Sequence, residues 1–360
     1  MTHGPLPIAR TLARHPRPLG GDTARNHPAP VVSLSSQVLN NAEHARQQLR
    51  LGRKPEWLRA RAPGGEGFLR LKSIIDEHRL HTVCQEATCP NIGECWSRGT
   101  ATIMILGDTC TRSCGFCNVK TGRPAPPDAD EPRRVAESLA LMSLRHVVIT
   151  CVDRDDLPDG GAAIWADTIG RTREACPAMS IEALIGDFRG DASALQAVID
   201  ARPEILAHNM ETVRRMHPAV RPQARYDRSL DVLRRIKSAG LTSKTSIMVG
   251  IGEQDDEVIA LMDDVRREAD TDILTIGQYL QPTRNHLPMT RWVTPEQFVA
   301  YKKEGLAKGF KVVESGPLVR SSYHAEEQAD RLSPERRETV EMMEQLLEAA
   351  RLGAAATAAR

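Results

Sequence analysis

The alternation of strand-like and helical segments after residue 100 constrains the fold of this chain more than any other feature. Short apolar, β-branched runs typical of buried strands recur at 101–106, 146–150, 180–185, 204–207, 244–249 and 272–280. Helical spacing of apolar residues, as at Val135, Leu139 and Met142, lies between them. Because such alternation forms parallel sheets with right-handed crossovers, we predict an α/β fold, a partial (β/α)6 barrel of the TIM type. Reactive groups are then expected at the carboxyl ends of the strands.

The chain divides into four parts in this prediction: an N-terminal extension without stable order (1–50), a second extension (51–100), the barrel (101–310) and a C-terminal segment with a charged tail helix (311–360). Residues 1–50 contain six arginines and only Asp22 and Glu43 as acids, a composition also typical of a mitochondrial transit peptide. Prolines interrupt any amphipathic helix there. We therefore expect a cytoplasmic protein, or a mitochondrial matrix protein if 1–50 is a transit peptide.

Composition argues against two classes of partner. The formal net charge is +1 and aromatic residues make up 4% of the chain, which disfavours binding to nucleic acid through bulk charge or base stacking. No apolar run approaches the roughly 20 residues that cross a bilayer. We expect neither nucleic acid nor membrane as a partner.

Six of the eight cysteines fall within residues 84–117, in two triplets. The triplets are Cys84, Cys89 and Cys95 (C-x4-C-x5-C) and Cys110, Cys114 and Cys117 (C-x3-C-x2-C). Crowded thiols in a long chain without a secretory signal favour metal binding over a disulfide framework. Four cysteines would close a cubane iron–sulfur cluster, so three leave one iron open, as in reactive metal sites. The sequence therefore predicts two open clusters. Cys151 and Cys176 are expected to be small buried apolar residues.

The second triplet directly follows the first predicted barrel strand, in the segment GDTCTRSCGFC at 107–117. A zinc site or a thioredoxin-like C-x-x-C at Cys114–Cys117 is the alternative, but zinc knuckles usually lie a dozen or more residues apart. This loop, with Phe116 before its last cysteine, resembles the radical S-adenosylmethionine superfamily. The resemblance implies a 4Fe–4S cluster at Cys110, Cys114 and Cys117 whose open iron binds S-adenosylmethionine.

The first triplet, in CQEATCPNIGEC at 84–95, resembles the lipoyl synthase family within that superfamily. Other stretches agree in order, and the resemblance covers about residues 53–328. They are KPEWLR (54–59), VDRDDL (152–157), HNMETV (208–213), GQYLQP (277–282) and GPLVRSSYHA (316–325). The family implies an auxiliary 4Fe–4S cluster on the first triplet, carried by the N-terminal extension over 51–100 and the C-terminal segment over 311–360, with a serine of the RSSY motif as fourth ligand. That serine is Ser322, with Ser321 as the alternative.

The resemblance also implies a reaction, the insertion of two sulfur atoms at C6 and C8 of an octanoyl chain bound to a lysine. The C–H bonds at these carbons are unactivated and out of reach of a side-chain base. The resemblance implies that two S-adenosylmethionine molecules are cleaved instead and that the auxiliary cluster supplies the sulfides. The implied protein substrates are octanoylated lipoyl domains of 2-oxoacid dehydrogenase E2 subunits and the glycine cleavage H protein. A ferredoxin- or flavodoxin-like electron donor and an iron–sulfur carrier for cluster repair are implied as well.

Further residues at the predicted strand ends are candidate contacts for S-adenosylmethionine. They are Phe116, Arg154, Asn209, Glu211, Gly250 and Gln278. Local ion pairing is an equal alternative for Arg154, and stabilisation of a helix N-terminus is the alternative for Glu211.

Three other functions compete with this prediction. A radical methylthiotransferase also carries two triplets, but its auxiliary cysteines are widely spaced in a separate domain. A biotin-synthase-like enzyme would need more cysteines along the barrel strands. A non-catalytic iron–sulfur or zinc protein would need no cofactor pocket, and it would form no 5′-deoxyadenosine from S-adenosylmethionine.

Overall fold

The computed structural model describes residues 51–60, 62–98, 100–142, 144–332 and 342. The extension predicted over 1–50 lies outside the described residues, as does the tail helix predicted over 334–352 apart from Met342. The strands are β1 (His81–Thr82), β2 (Thr102–Ile105), β3 (Thr109–Cys110), β4 (Lys120–Thr121), β5 (His146–Cys151), β6 (Ser180–Leu184), β7 (Ile205–Ala207), β8 (Thr242–Val249), β9 (Ile273–Gln278) and β10 (Val312–Gly316).

The α-helices surround these strands, and two short 3-10 helices, Glu56–Leu58 and Phe188–Gly190, accompany them. The helices are α1 (Glu66–Glu77), α2 (Val83–Glu86), α3 (Ile92–Ser97), α4 (Glu131–Met142), α5 (Ala162–Ala175), α6 (Ala192–Asp200), α7 (His217–Val220), α8 (Tyr226–Ser238), α9 (Asp255–Ala269), α10 (Pro295–Ala307) and α11 (Ala325–Leu332). Within the described residues, no helix is long and apolar enough to span a membrane.

The central sheet has the strand order β1-β2-β5-β6-β7-β8-β9-β10. All neighbouring pairs from β2 to β10 are parallel, and β1 pairs antiparallel with β2 at the edge. The predicted α/β partial barrel is therefore confirmed, with each of the six predicted strands present. The parallel sheet continues past residue 310, because β10 pairs with β9 from Val312 to Gly316.

Local sequence signals place the helix ends. The Thr294 side chain accepts a hydrogen bond from the backbone N–H of Gln297, so α10 begins where the predicted cap lies. Gly240 adopts a φ of +76° just after α8, a conformation that glycine tolerates at helix ends. A capping box on α9, between Gln254 and Glu257, was not predicted from the sequence.

Alternate strand positions divide between the helical layer and the barrel interior. Val147, Ile149 and Ile181 share one apolar core with the helices outside the sheet. The opposite faces carry polar groups, because Lys244 on β8 forms a fully buried ion pair of 2.8 Å with Glu182 on β6. The barrel thus holds its loops at one end, where the carboxyl termini of the parallel strands meet.

Candidate functional site

The second cysteine triplet lies on the loop after β2. Cys110 ends β3, which pairs in parallel with β4 and returns the loop onto itself. The Cys110 sulfur accepts hydrogen bonds from the backbone N–H groups of Arg112 (3.4 Å) and Asp153 (3.3 Å). N–H donors directed at sulfur favour the thiolate form. The loop is therefore shaped to hold this cysteine as a ligand.

Burial works against ionisation of these thiols in the absence of a metal. It raises the pKa of Cys110 to about 12 and that of Cys117 to about 11, and it raises the pKa of Cys114 further. The positive charge of Arg221 opposes this rise at Cys114. Three buried thiols beside N–H donors and a cation need an electrophilic metal to displace their protons. This donor set fits a 4Fe–4S cluster bound by three cysteines.

Arg112 fastens this loop to the ends of β5 and β6. Its side chain is 1% exposed, and its Nε and Nη2 atoms donate to both carboxylate oxygens of Asp155 at 2.8 Å. Nη2 also lies 2.7 Å from Asp187 Oδ1, and Arg228 pairs with the other oxygen of Asp187 at 3.1 Å. Neither Arg112 nor Asp187 was predicted from the sequence, although Asp187 lies just after the buried strand β6 and could have been found by that position.

The first triplet surrounds a separate cavity. Cys84 lies on α2, which Thr82 caps through the N–H of Gln85, and Cys95 lies on α3. The cavity is lined by Cys84, Cys89, Asn91, Ile92, Cys95, Thr100, Thr102, Arg320, Ser322 and Tyr323. The structure thus brings the triplet together with Ser322, whereas Ser321 is not among the lining residues.

This cavity offers three thiols, one cation and the hydroxyl of Ser322, with further hydroxyls from Thr100, Thr102 and Tyr323. Burial together with the neighbouring thiols raises the pKa of Cys95 to about 12, and burial lowers the pKa of Arg320, whose guanidinium lies near Cys89. Within the described residues, no three His, Cys, Asp or Glu side chains form a group that could hold a single metal ion. A cubane cluster spreads its ligands over separate irons, and three thiols plus the Ser322 oxygen supply one ligand for each.

Asn209 and Glu211 follow β7 and bind each other. The Asn209 amide donates to Glu211 Oε1 at 3.0 Å, and Arg221 donates to the Asn209 carbonyl at 2.6 Å. Glu211 adopts a φ of +64°, and burial raises its pKa. The Asn209 side-chain oxygen is buried without a hydrogen-bond partner in the structure. Strained backbone at Glu211, whose charge acts on Cys117, and an unpaired polar atom on Asn209 are features of a ligand pocket. Phe116 packs against the apolar cluster that contains Tyr279.

Gly250 and Gln278 pack against each other, and their contact with a cofactor stays a prediction. The Gln278 amide nitrogen donates to the carbonyls of Val249, Tyr279 and Arg291, and its oxygen accepts from the Val293 N–H. A Cβ on Gly250 would lie 2.2 Å from that amide nitrogen. The glycine therefore makes room for Gln278, and we assign this pair to the support of the barrel rim.

Arg154 forms several local contacts in the structure. It is 2% exposed, and its guanidinium donates to Asp156 and to the carbonyls of Leu106 and Ala125. These contacts tie the loop after β5 to the ends of the second-triplet loop. The local ion pair that the sequence left open as an alternative is present, with Asp156, and contact with a cofactor stays a prediction.

All eight cysteines are free thiols. Cys151 and Cys176 are partly buried and pack against the main apolar core, as expected for small apolar residues. Both cysteines lie outside the two triplets, and neither lines the cavity at Cys84.

Comparison with known proteins agrees with this site. Residues 104–265 match the radical SAM superfamily model, and residues 31–89 match the N-terminal domain of lipoyl synthase of the Radical_SAM family. The "Lipoyl synthase" of Parabacteroides distasonis is 58% identical over 274 residues, covering 76% of this chain and 97% of the relative. That of Rubrobacter xylanophilus is 57% identical over 279 residues, covering 77% and 87%.

A mitochondrial relative is nearly as similar. The "Lipoyl synthase, mitochondrial" of Nematostella vectensis is 53% identical, covering 76% of this chain and 95% of the relative. Radical SAM enzymes use a 4Fe–4S cluster and S-adenosylmethionine, which the second triplet fits. On this identity and coverage, the chain belongs to the lipoyl synthase family and is a radical SAM sulfurtransferase.

Proposed function

We propose that this chain completes the lipoyl group by inserting two sulfur atoms, at C6 and C8, into an octanoyl chain held in amide linkage on a lysine of an acceptor protein. The cavity at the first triplet supports this proposal most directly, because a second set of three thiols with Ser322 has no use in simple cleavage of S-adenosylmethionine. The identity to lipoyl synthases over most of the chain supports the same substrate.

The residues of the chain divide the work between the two cysteine sites. When bound, the cluster of the second triplet supplies the electron that cleaves S-adenosylmethionine, and the auxiliary cluster supplies the sulfides. Cys110, Cys114 and Cys117 hold the former, and Asn209 offers its unpaired oxygen to S-adenosylmethionine. Arg112 keeps their loop in place on the barrel.

Ser322 is the fourth ligand of the auxiliary cluster in this proposal. A serine oxygen is a harder and more exchangeable ligand for iron than a thiolate, which suits a cluster that gives up its sulfides. Arg320 lines the same cavity and offsets the negative charge of three thiolates. The Ser322 hydroxyl and the Arg320 guanidinium both come from the short segment after β10.

The acceptors in this proposal are octanoylated lipoyl domains of 2-oxoacid dehydrogenase E2 subunits and the glycine cleavage H protein. A ferredoxin- or flavodoxin-like protein supplies electrons, and an iron–sulfur carrier rebuilds the auxiliary cluster. The cytoplasm is the proposed location, in line with the bacterial relatives, and the mitochondrial matrix is its counterpart for the mitochondrial relative.

The test is an anaerobic reaction of the reconstituted protein with S-adenosylmethionine, a reductant and an octanoyl-lysyl peptide, followed by mass spectrometry. We expect the dithiolated peptide with about two 5′-deoxyadenosines per peptide. Formation of 5′-deoxyadenosine without sulfur on the peptide would keep the radical enzyme but refute this substrate.

Two neighbouring serines give a matched pair of variants for the ligand assignment. Ser322→Ala should lose most dithiolated product while still forming 5′-deoxyadenosine, and Ser321→Ala should retain both. Cys110→Ala should lose 5′-deoxyadenosine itself. Normal dithiolated product from Ser322→Ala would rule that serine out as the ligand.

A further inference from the structure

Helix α3 presents a polar stripe toward the segment that carries Ser322. Glu94 lies within α3, and Asn91 and Arg98 flank its two ends; their spacing at i, i+3 and i+7 places the three on one side of the helix. Cys95 lies next to Glu94 on the same helix and lines the cavity. The helix that supplies one thiol therefore also offers polar groups to the opposite wall.

The first two members of the stripe bind on either side of the serines. The Asn91 amide donates to the Leu318 carbonyl at 2.6 Å. The Tyr323 hydroxyl donates to Glu94 Oε1 at 3.3 Å. Leu318 precedes the serine pair and Tyr323 follows it, so the backbone that carries Ser322 is held from both ends.

Arg98 binds the start of α11. Its Nη2 atom donates to Glu326 Oε1 at 3.0 Å and to Glu327 Oε1 at 2.6 Å, and Nη1 lies 3.2 Å from His324 Nε2. Thr100 adds a hydrogen bond of 3.3 Å to the other oxygen of Glu326. These contacts join two parts of the chain that are more than 220 residues apart in sequence.

We propose that Asn91, Glu94 and Arg98 form a latch that holds residues 318–327, the serine segment, over the first triplet, and that opening of this latch controls access to Cys84, Cys89 and Cys95. The inference rests on the proposed function only in taking the cavity as the site of the auxiliary cluster. Glu94 and Arg98 are positioning residues, since they act on the cavity through the serine segment, whereas Asn91 also lines the cavity itself.

The exposure of the Arg98–Glu327 pair makes this end of the latch reversible. The side chains of Arg98 and Glu327 are 39% and 43% exposed, and exposed ion pairs are individually weak and screened by salt. Several such contacts together hold the segment closed, while an iron–sulfur carrier that competes for them can open it. A cluster that is consumed in the reaction needs an entrance of this kind for its replacement.

The test measures thiol access in the full-length chain, first freed of metal under anaerobic, reducing conditions and then with its clusters reconstituted. Iodoacetamide labelling followed by peptide mass spectrometry gives a separate rate for each cysteine. In metal-free Arg98→Gln we expect the first triplet to react about fivefold faster, with the second triplet unchanged. In the reconstituted protein we expect the same variant to release iron to a chelator faster.

Arg133→Gln is the matched control, because Arg133 also pairs with two exposed carboxylates, Asp130 and Glu137, on a distant helix. It should leave every rate unchanged, and Arg98→Lys should restore part of the protection. Added salt should speed labelling of the first triplet in the parent chain and have little effect in Arg98→Gln.

Two results would overturn the latch. Equal labelling of the first triplet in Arg98→Gln and Arg133→Gln would show that Arg98 does not hold the segment. Equal acceleration at all six cysteines would show a general loosening. Because labelling of the metal-free chain requires neither cluster nor substrate, a failure of peptide dithiolation would leave this result standing, and the reverse also holds.

Discussion

Replacing Arg112 by methionine should destabilise the protein by several kcal/mol. Arg112 is the single cation that contacts Asp155 and Asp187 from within the second-triplet loop, and its side chain is 1% exposed. Removing one partner of a buried ion pair leaves the other charge uncompensated, which costs about 3–5 kcal/mol. The side chain of Asp187 is fully buried, so its carboxylate carries most of that penalty.

Contacts that remain at the Asp187 carboxylate in Arg112→Met compensate part of its lost ion pair, and they decide where in this range the loss of stability falls. Arg228 remains 3.1 Å from Asp187, and the Arg189 N–H donates to the same carboxylate at 3.0 Å. Burial would raise the pKa of Asp187, but the charge and hydrogen bond of Arg112, with the Arg189 N–H, hold it well below its ordinary value. We therefore expect a loss near 3 kcal/mol, at the lower end of the range.

The assay is urea unfolding of the metal-free chain, paired with the rate of 5′-deoxyadenosine formation in the reconstituted protein. Arg112→Lys keeps the charge but loses the bidentate geometry, so it should lose less stability than Arg112→Met. In a double-mutant cycle, Asp187→Asn should recover part of the loss in the Arg112→Met background. A loss below about 1 kcal/mol in Arg112→Met, or no coupling between the two positions, would refute the reasoning.

Two further predictions concern packing and pH. Gly250→Ala should lower the free energy of unfolding in urea by about 3 kcal/mol, since Gly250 has a φ of +93° and a Cβ there would lie 2.2 Å from Gln278 Nε2. The control Gly240→Ala, with a φ of +76° and open space around the Cβ, should lower it by only about 1 kcal/mol. Equal losses in the two variants would contradict the clash at Gly250. Burial lowers the pKa of His208 in the folded protein to about 4, against an ordinary value near 6.5. As the pH falls below 6.5, the His208 imidazole is therefore protonated in the unfolded chain before it is protonated in the folded one. Between pH 7 and pH 4.5 the free energy of unfolding of the parent chain should fall by about 2 kcal/mol more than that of His208→Gln. Equal losses in the two proteins would refute this contribution of His208.

The architecture was predictable from the sequence because it depends on patterns of period and spacing. Strand runs alternating with helical runs leave few topologies open, and the six predicted strands are all present. The two cysteine triplets were equally readable, since their members lie close together in the chain. Even so, the run at 312–316 was not predicted as a barrel strand, because only Val312 and Val313 in it are clearly apolar. It forms a strand through its pairing with β9, which the local sequence does not show.

Side-chain roles at the strand ends were less predictable, because they depend on which loop faces which. Arg154 and Gln278 lie where cofactor contacts were expected, yet their polar atoms are taken up by nearby carbonyls and Asp156. Arg112 was overlooked because its partners lie more than 40 residues away in sequence. Position along a strand predicts which end of the barrel a residue occupies, but not the group that it contacts.

The two triplets are fastened by contacts of different strength, and this difference fits the two roles proposed for them. The second-triplet loop is held by Arg112, which binds Asp155 through two hydrogen bonds and also pairs with the fully buried Asp187, where solvent and salt barely reach. The first triplet is closed by Arg98, whose carboxylate partners include the exposed Glu327. A site that must cleave S-adenosylmethionine repeatedly benefits from a rigid loop, because misplacement of a reacting group is costly. A site whose cluster is used up and replaced needs a wall that can open, and weak surface ion pairs allow that without disturbing the barrel.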